Sequence, residues 1–159
     1  MTVKIPLTQE QEAIIDDCDY ERVGQYKWWA DKKKYGGYYA RGWVNGQAVI
    51  LHKFIMNPPI GVEIDHIDHD GLNCQRHNMR FATVFDNRKN RAKNANGTSG
   101  FKGVSFHKRI GKYQAQIQND GVKMPLGYYD TLEEAARAYD VAANKFHGEF
   151  ASLNFHEGQ

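Results

Sequence analysis

Cysteine is scarce in this chain: the 159 residues hold two, Cys18 and Cys74. So few thiols imply no disulfide framework, which makes a reducing cytosol the expected setting. A dominant charge sign is lacking as well, with 21 Lys+Arg against 19 Asp+Glu. Net charge therefore gives no ground for inferring a nucleic-acid partner, and only the distribution can. Long apolar runs are missing too. The best stretch is Ala48–Leu51, far short of a membrane span, so no membrane association is expected. Met1 is not followed by a basic segment and an apolar core, so no signal peptide is expected.

What is present is aromatic and locally basic. Phe, Trp and Tyr make up 13% of the chain, which argues against disorder. Arg80, Arg88, Lys89, Arg91 and Lys93 share a stretch whose one acid is Asp86, while acids gather in Glu10–Glu21 and at Glu133-Glu134. Asn94–Gly100 reads as turn chemistry without periodicity, and it separates a segment 1–95 from a segment 96–159.

The first segment opens with short strand-like pieces at Val3–Leu7, Lys27–Ala30 and Gly37–Val44. Asn45-Gly46 predicts a hairpin joining Tyr38–Val44 to Gln47–Ile50. Asn57-Pro58-Pro59 forces a loop. Val62–Ile64 is a short strand, with Asp65-His66 at its end. Asp65–Asn78 is then a polar loop, and Arg80–Ala82 a second strand. Thr83 and Asp86 have capping-box spacing for a helix running toward Lys93. Lys32-Lys33-Lys34 reads as a solvated turn.

In the second segment, Lys102–Phe106, Tyr113–Gln118 and Val122–Leu126 predict three strands. Thr131–Glu134 is a capping box, followed by a stripe of Leu132, Ala135, Ala136, Tyr139, Ala142, Ala143 and Phe146, with Gly148 as the stop. This is a three-stranded antiparallel sheet packed on one helix, so the chain as a whole is α+β.

Asp65-His66, Asn78 and Asn87 fall in order on strand, loop and helix. Asp-His is a common dipeptide and carries little alone; the ordered set carries more. It resembles the HNH (ββα-metal) nuclease family, closest to the phage and intron-encoded homing endonucleases. The matching residues are Leu51-His52, Val62–Asn73, Asn78-Met79-Arg80 and Asp86-Asn87. The resemblance implies a DNA endonuclease in which a small β-rich region leads into the ββα-metal motif. His66 is then the general base, and Asp65 and Asn87 hold one divalent cation, Mg²⁺ or Mn²⁺. Asn78 pins the loop, and His52 is a weaker candidate that supports the site or contacts phosphate. A rival spacing, His66-x-x-His69 with Cys74-x-x-His77, imitates a zinc site and leaves a structural Zn²⁺ open.

Tyr113–Gln118 alternates cleanly, with Gln114, Gln116 and Gln118 on the face away from the helix. Gln can bond adenine's edge in the major groove. Ser99–Val104, Gly111–Ile117, Leu126-Gly127, Glu134-Ala135-Ala136, Ala138-Tyr139-Asp140, Ala142-Ala143 and Leu153-Asn154-Phe155 resemble the plant ethylene-response-factor (APETALA-type) DNA-binding domain. In that family the sheet enters the major groove. The resemblance implies that Lys102, Ser105, His107, Arg109, Gln116, Gln118 and Lys123 face double-stranded DNA. Arg88, Lys89, Arg91 and Lys93 are expected at phosphates. The pairing looks phage-like, in a bacterial cytoplasm, as a monomer or homodimer. Two alternatives stand beside the site-selective endonuclease: a sequence-specific DNA-binding regulator on an inactive nuclease scaffold, and a zinc-stabilised binding module.

Overall fold

Val3 and Ile5 alternate with polar residues, and this period-two pattern folds as β1 (Thr2–Pro6). It pairs antiparallel with β2 (Glu12–Asp16), Thr2 opposite Asp16, and the pair buries Ile5, Ala13 and Ile15. The chain is seen in a computed structural model that describes residues 1–34, 36–90 and 99–155. Its contacts divide into two units between Val84 and Phe85.

The acid-rich stretch after β2 forms a helix that periodicity does not signal, α1 (Asp17–Val23). Asp16 at its N-cap makes no side-chain cap bond. Its carboxylate instead accepts the Arg76 backbone N–H at 2.7 Å. Asp19 is buried, and Arg76 grips it with Nε at 2.8 Å and Nη2 at 2.7 Å, while Arg22 adds a third bond at 3.1 Å.

The second sheet runs β3 (Trp28–Lys32), β4 (Tyr38–Val44) and β5 (Gln47–Ile50), all antiparallel. Asn45 (φ 49°) and Gly46 (φ 78°) turn the β4–β5 hairpin with both residues left-handed, as expected of Asn-Gly. The chain then coils into α2 (Leu51–Met56), which carries His52 and ends at left-handed Asn57 before the two prolines. Trp28, Leu51, Ile55, Ile64, Leu72, Cys74 and Met79 join the β1–β2 residues in one core.

The last strand pair of this unit is β6 (Glu63–His66) with β7 (Met79–Ala82). The first strand runs through Asp65 and His66, beyond the expected end at Ile64, because both residues stay paired, with Arg80 and Met79. Helix α3 (Val84–Lys89) follows directly. The expected continuation to Lys93 lies outside the described residues.

In the second unit, β8 (Val104–His107), β9 (Lys112–Asn119) and β10 (Val122–Tyr129) form an antiparallel sheet in the order β8-β9-β10. The first strand begins later than the expected Lys102. Gly103 has φ 74°, and a Cβ there would lie 2.1 Å from the Tyr139 ring, so the turn into the strand needs glycine. The last strand runs past Leu126 to Tyr129, with an irregular register between Pro125 and Gly127. Helix α4 (Leu132–His147) starts at a complete capping box on Thr131 and Glu134. It lays Ala135, Ala136 and Ala143 on Val104, Ala115 and Ile117, small side chains that allow close approach. Among the described residues no helix is long and apolar enough to cross a membrane.

Asp19 sets a stability test. Burial pushes its carboxyl up, but hydrogen bonds and charge from Arg76, then Arg22, outweigh burial and hold it below 3.8. A lowered carboxyl stabilises the fold above its unfolded value and loses that contribution as pH falls through the folded one. Asp19→Asn is expected to cost about 1–3 kcal/mol near neutral pH. The gap to wild type should close as the pH drops below 3.8, read by urea unfolding across pH.

Candidate functional site

The β6–β7 register places Asp65 directly opposite Arg80 and His66 opposite Met79. Asp65 is 5% exposed, and its Oδ2 accepts from Arg80 Nε at 2.9 Å and Nη2 at 2.7 Å. A buried carboxylate needs such a partner. His66, 6% exposed, comes from the next position on the strand. Its ring meets His52 of α2 edge-on, with centroids 4.9 Å apart, and Tyr39 of β4 at 6.1 Å. Tyr39 also packs edge-on against His52 at 5.2 Å. Helix, sheet and hairpin thus converge on one imidazole.

Burial sets the charge of both histidines. It pushes His52 down to about 3, with help from neighbouring positive charge at His66, Lys53 and Lys33. Burial and then Lys33 also lower His66, against the pull of Asp68, Asp65 and Asp70. Both rings are therefore neutral near pH 7, and a neutral imidazole can accept a proton.

The loop after His66 is fixed by Asn78. Its Oδ1 accepts the Asp68 backbone N–H at 3.1 Å, and its Nδ2 donates to Asp68 Oδ1 at 2.9 Å and to the Asn73 carbonyl at 2.8 Å. Asp68 further accepts from Asn73 Nδ2 at 2.7 Å. The far end of the loop docks on β2, where Ile14 and the Leu72–Cys74 backbone exchange bonds of 2.8 Å each way. Asn78 thus closes a ring of bonds around the segment that begins at His66.

Zinc fares poorly on geometry. Cys74 lies in the hydrophobic core, its thiol pushed up by burial to about 12, whereas zinc is bound by thiolate. His69 and His77 are exposed. Among the described residues no three of His, Cys, Asp and Glu gather as a metal-holding group. Asn87 sits half-buried on α3, beyond the division between the two units, and Asp86 beside it pairs with Lys89 at 3.1 Å.

The sheet of the second unit presents the expected polar face. Ser105, Gln114 and Tyr128 stand in one row across the strands, Gln116 faces Pro125, and Gln118 faces Lys123. His107 packs edge-on to Tyr128 at 5.5 Å. Arg109 is exposed in the β8–β9 turn. Lys102 is turned elsewhere. Its ammonium donates to the Lys89 carbonyl at 2.8 Å and lies 6.0 Å from the Tyr139 ring, where burial lowers it to about 8. Lys89 pairs with Asp86, with Asp120 at 3.9 Å, and Arg88 lies 5.9 Å from the Phe85 ring. Arg91 and Lys93 lie outside the described residues.

Sequence reasoning missed Arg80 as a partner of Asp65, Asp68 as a hub of the loop, and Tyr39 as the ring beneath both histidines. A signal existed for Arg80, since an antiparallel hairpin fixes which residues stand opposite. None existed for Tyr39, whose contact with His66 is long-range. The expected solvated turn at Lys32-Lys33-Lys34 also differs. Lys32 and Lys34 are exposed, but Lys33 is half-buried with Nζ 4.5 Å from the Tyr39 ring centroid.

A viral protein resembles most of this chain. An uncharacterized HNH endonuclease of Acanthamoeba polyphaga mimivirus is 31% identical over 138 residues, covering 83% of this chain and 68% of the viral protein. The chain belongs to the HNH endonuclease family. Residues 99–149 of this HNH protein match the AP2 domain model. APETALA2-like protein 2 of Oryza sativa subsp. indica is 45% identical across 58 residues, 36% of this chain and 13% of the plant protein. An AP2-like ethylene-responsive transcription factor of Arabidopsis thaliana is 38% identical across 86 residues, 53% of this chain and 15% of its own. No solved structure matches.

The buried His52 gives a pH test. Its folded value near 3 lies below the ordinary 6.5, so the unfolded chain binds the extra proton between them. Stability then falls as pH drops from 6.5 toward 3. By two pH units below the ordinary value this loss is on the order of 2 kcal/mol. His52→Gln should flatten that part of the profile, measured by chemical unfolding between pH 7 and 4.

Proposed function

We propose that this HNH protein is a site-selective DNA endonuclease, hydrolysing one phosphodiester bond per active site of double-stranded DNA. The observation that carries the reading is a buried His66, its protonation disfavoured by burial, next in sequence to the Arg80-held Asp65 carboxylate, on a strand end whose loop Asn78 pins. A protonated imidazole could not take a proton from water; this one can.

In this reading His66 removes a proton from water. The water oxygen bonds to phosphorus as the bond from phosphorus to the 3′ oxygen breaks; the departing oxygen takes a proton from solvent, leaving a 5′ phosphate and a 3′ hydroxyl. His52 and Tyr39, which also touch each other, pack against the imidazole and shield it from water. Asn78 keeps the strand end from fraying. The donor chemistry of Asp65 and Asn87, carboxylate and amide oxygen, fits a hard divalent cation such as Mg²⁺ or Mn²⁺. When bound, such an ion polarises the phosphate and stabilises the departing oxygen. Arg80 would orient the Asp65 carboxylate toward it.

The AP2 sheet supports the other half of the reading. Gln114, Gln116 and Gln118 share a surface with Ser105, His107, Lys123 and the exposed Arg109, and a small β-surface fits the major groove. Gln edges bond bases, and the cations contact phosphates. A second reading, a DNA-binding regulator on an inactive nuclease scaffold, draws on Arg80, whose guanidinium already engages the Asp65 oxygen.

Sequencing every new DNA end after incubation with genomic DNA separates the two. Ends that require Mg²⁺ and vanish with His66→Ala, while DNA binding stays near wild type, are the expected result. Bound DNA without new ends, across a library of random targets, favours the regulator. Gln116→Ala is expected to relax the base preference at one position of the site by roughly tenfold, about 1–3 kcal/mol of discrimination. An unchanged cleavage motif would count against the sheet as reader.

A further inference from the structure

Lys33 sits outside every motif of the nuclease family, on the loop that closes the β3–β4 hairpin. Its backbone N–H donates to the Gly37 carbonyl at 2.9 Å, and the Gly36 N–H donates back to Lys33 at 3.3 Å. The turn folds the side chain inward instead of into solvent. Gly37 leaves the space: a Cβ there would stand 3.0 Å from Lys33 Cε. The stem crosses this gap, and the ammonium comes to rest 4.5 Å from the centre of the Tyr39 ring.

That ring is shared. One side meets the rings of His52 and His66. It is also packed against Gly71 of the Asn78-pinned loop, where a Cβ would come within 2.6 Å of it. Lys33 thus rides on the aromatic that packs against the His66 ring, and that aromatic also meets the loop that carries Asp68 and Asp70. Its charge acts on both histidines, opposing their protonation. Asp70 and Asp68 act on it in turn. Yet among the described residues Lys33 forms no ion pair with either carboxylate. A half-buried ammonium seated on a ring without a carboxylate partner is suited to an anionic ligand.

We propose that Lys33 is a phosphate-contacting residue of the cleavage site, donating to a non-bridging oxygen of the scissile phosphate from the Tyr39 side. The proposal rests on the nuclease reading above. Attack by water adds negative charge to those oxygens before the bond to the 3′ oxygen is gone. A cation already held in place stabilises that charge more than it stabilises the bound substrate, which lowers the barrier rather than the dissociation constant. Tyr39 acts as the positioning residue, since it sets the ammonium relative to the imidazole.

The test uses the full chain and a duplex carrying a mapped cleavage site, with single-turnover rates at saturating enzyme, dissociation constants and unfolding midpoints measured together. Lys33→Gln is expected to slow cleavage by about 10–100-fold, with the dissociation constant within about twofold and an unchanged unfolding midpoint. Lys33→Arg should restore most of the rate, and Lys32→Gln, an exposed neighbour, should cut as wild type does. Lys33→Gln cutting at the wild-type rate while His66→Ala is inert overturns the role of Lys33 alone. A slow Lys33→Gln with a lowered unfolding midpoint, unrescued by Arg, overturns it in favour of a purely structural lysine. Cleavage that survives His66→Ala overturns the base assignment and this proposal with it.

Discussion

The pairing register of Glu63–His66 with Met79–Ala82 is the constraint on which the rest of the site depends. Antiparallel pairing sets Asp65 against Arg80 and His66 against Met79, and because side chains alternate, a slip of one residue would send each to the opposite face. Asp65 would lose its bidentate guanidinium inside the protein, and His66 would leave the rings of His52 and Tyr39. The register is held at both ends. Ile64 on one side enters the core, and Asn78 on the other ties the connecting loop to Asp68 and Asn73. The loop's last residues are bonded to Ile14 in turn. A cluster of small polar groups is thus fastened to the first hairpin by backbone bonds, which are indifferent to side-chain identity.

Within that frame two kinds of buried polar group are treated oppositely. The carboxylates Asp65 and Asp19 are each gripped by two guanidinium N–H groups of an arginine, and at Asp19 that grip outweighs burial and lowers the carboxyl. Protonation of both histidines is disfavoured by burial and nearby positive charge, and at His66 this outweighs the pull of nearby acids. Desolvation acts on both, and the outcome turns on whether a fixed opposite charge lies within hydrogen-bond reach. The proposed proton acceptor and cation site would need an imidazole that resists protonation beside a carboxylate, and here arginine stands opposite aspartate while aromatic rings pack on the histidine.

What could be read in the sequence was what local chemistry specifies. Asn45-Gly46 turned a hairpin because its backbone conformations suit those two residues, and Thr131 with Glu134 capped a helix because both bonds close within one turn. The Gln114–Gln116–Gln118 alternation gave a strand face directly. The helices Asp17–Val23 and Leu51–Met56 were not legible. Each is two turns or less, has no side-chain cap bond, and is held by tertiary partners such as the Arg76–Asp19 pair. In the site, the order of Asp65, His66 and Asn78 could be read, but Tyr39 and Lys33 could not. Tyr39 reaches His66 from another sheet, and Lys33 stands on the Tyr39 ring, through contacts that no spacing encodes. Lys102 shows the converse limit: a motif position suggested an outward lysine, and an inward carbonyl at Lys89 took its ammonium.

The AP2 sheet poses an electrostatic question that the placement of Lys102 sharpens. Glutamine offers base-edge hydrogen bonds but no charge, so it displaces no counterions from DNA, and salt-dependent affinity must come from cations around it. In the proposed reading, with Lys102 turned inward, that task would fall on cations such as Lys123 and Arg109. Lys89 is engaged by Asp86 and Asp120, and would have to exchange those partners for a phosphate. In the proposed reading, a sheet of this kind would discriminate among sequences more strongly than it attracts DNA in general. In the proposed enzyme that balance suits a reader coupled to a cutting site, where dwell on non-target DNA invites cleavage at the wrong phosphate, and a low charge density on the reading face keeps that dwell short.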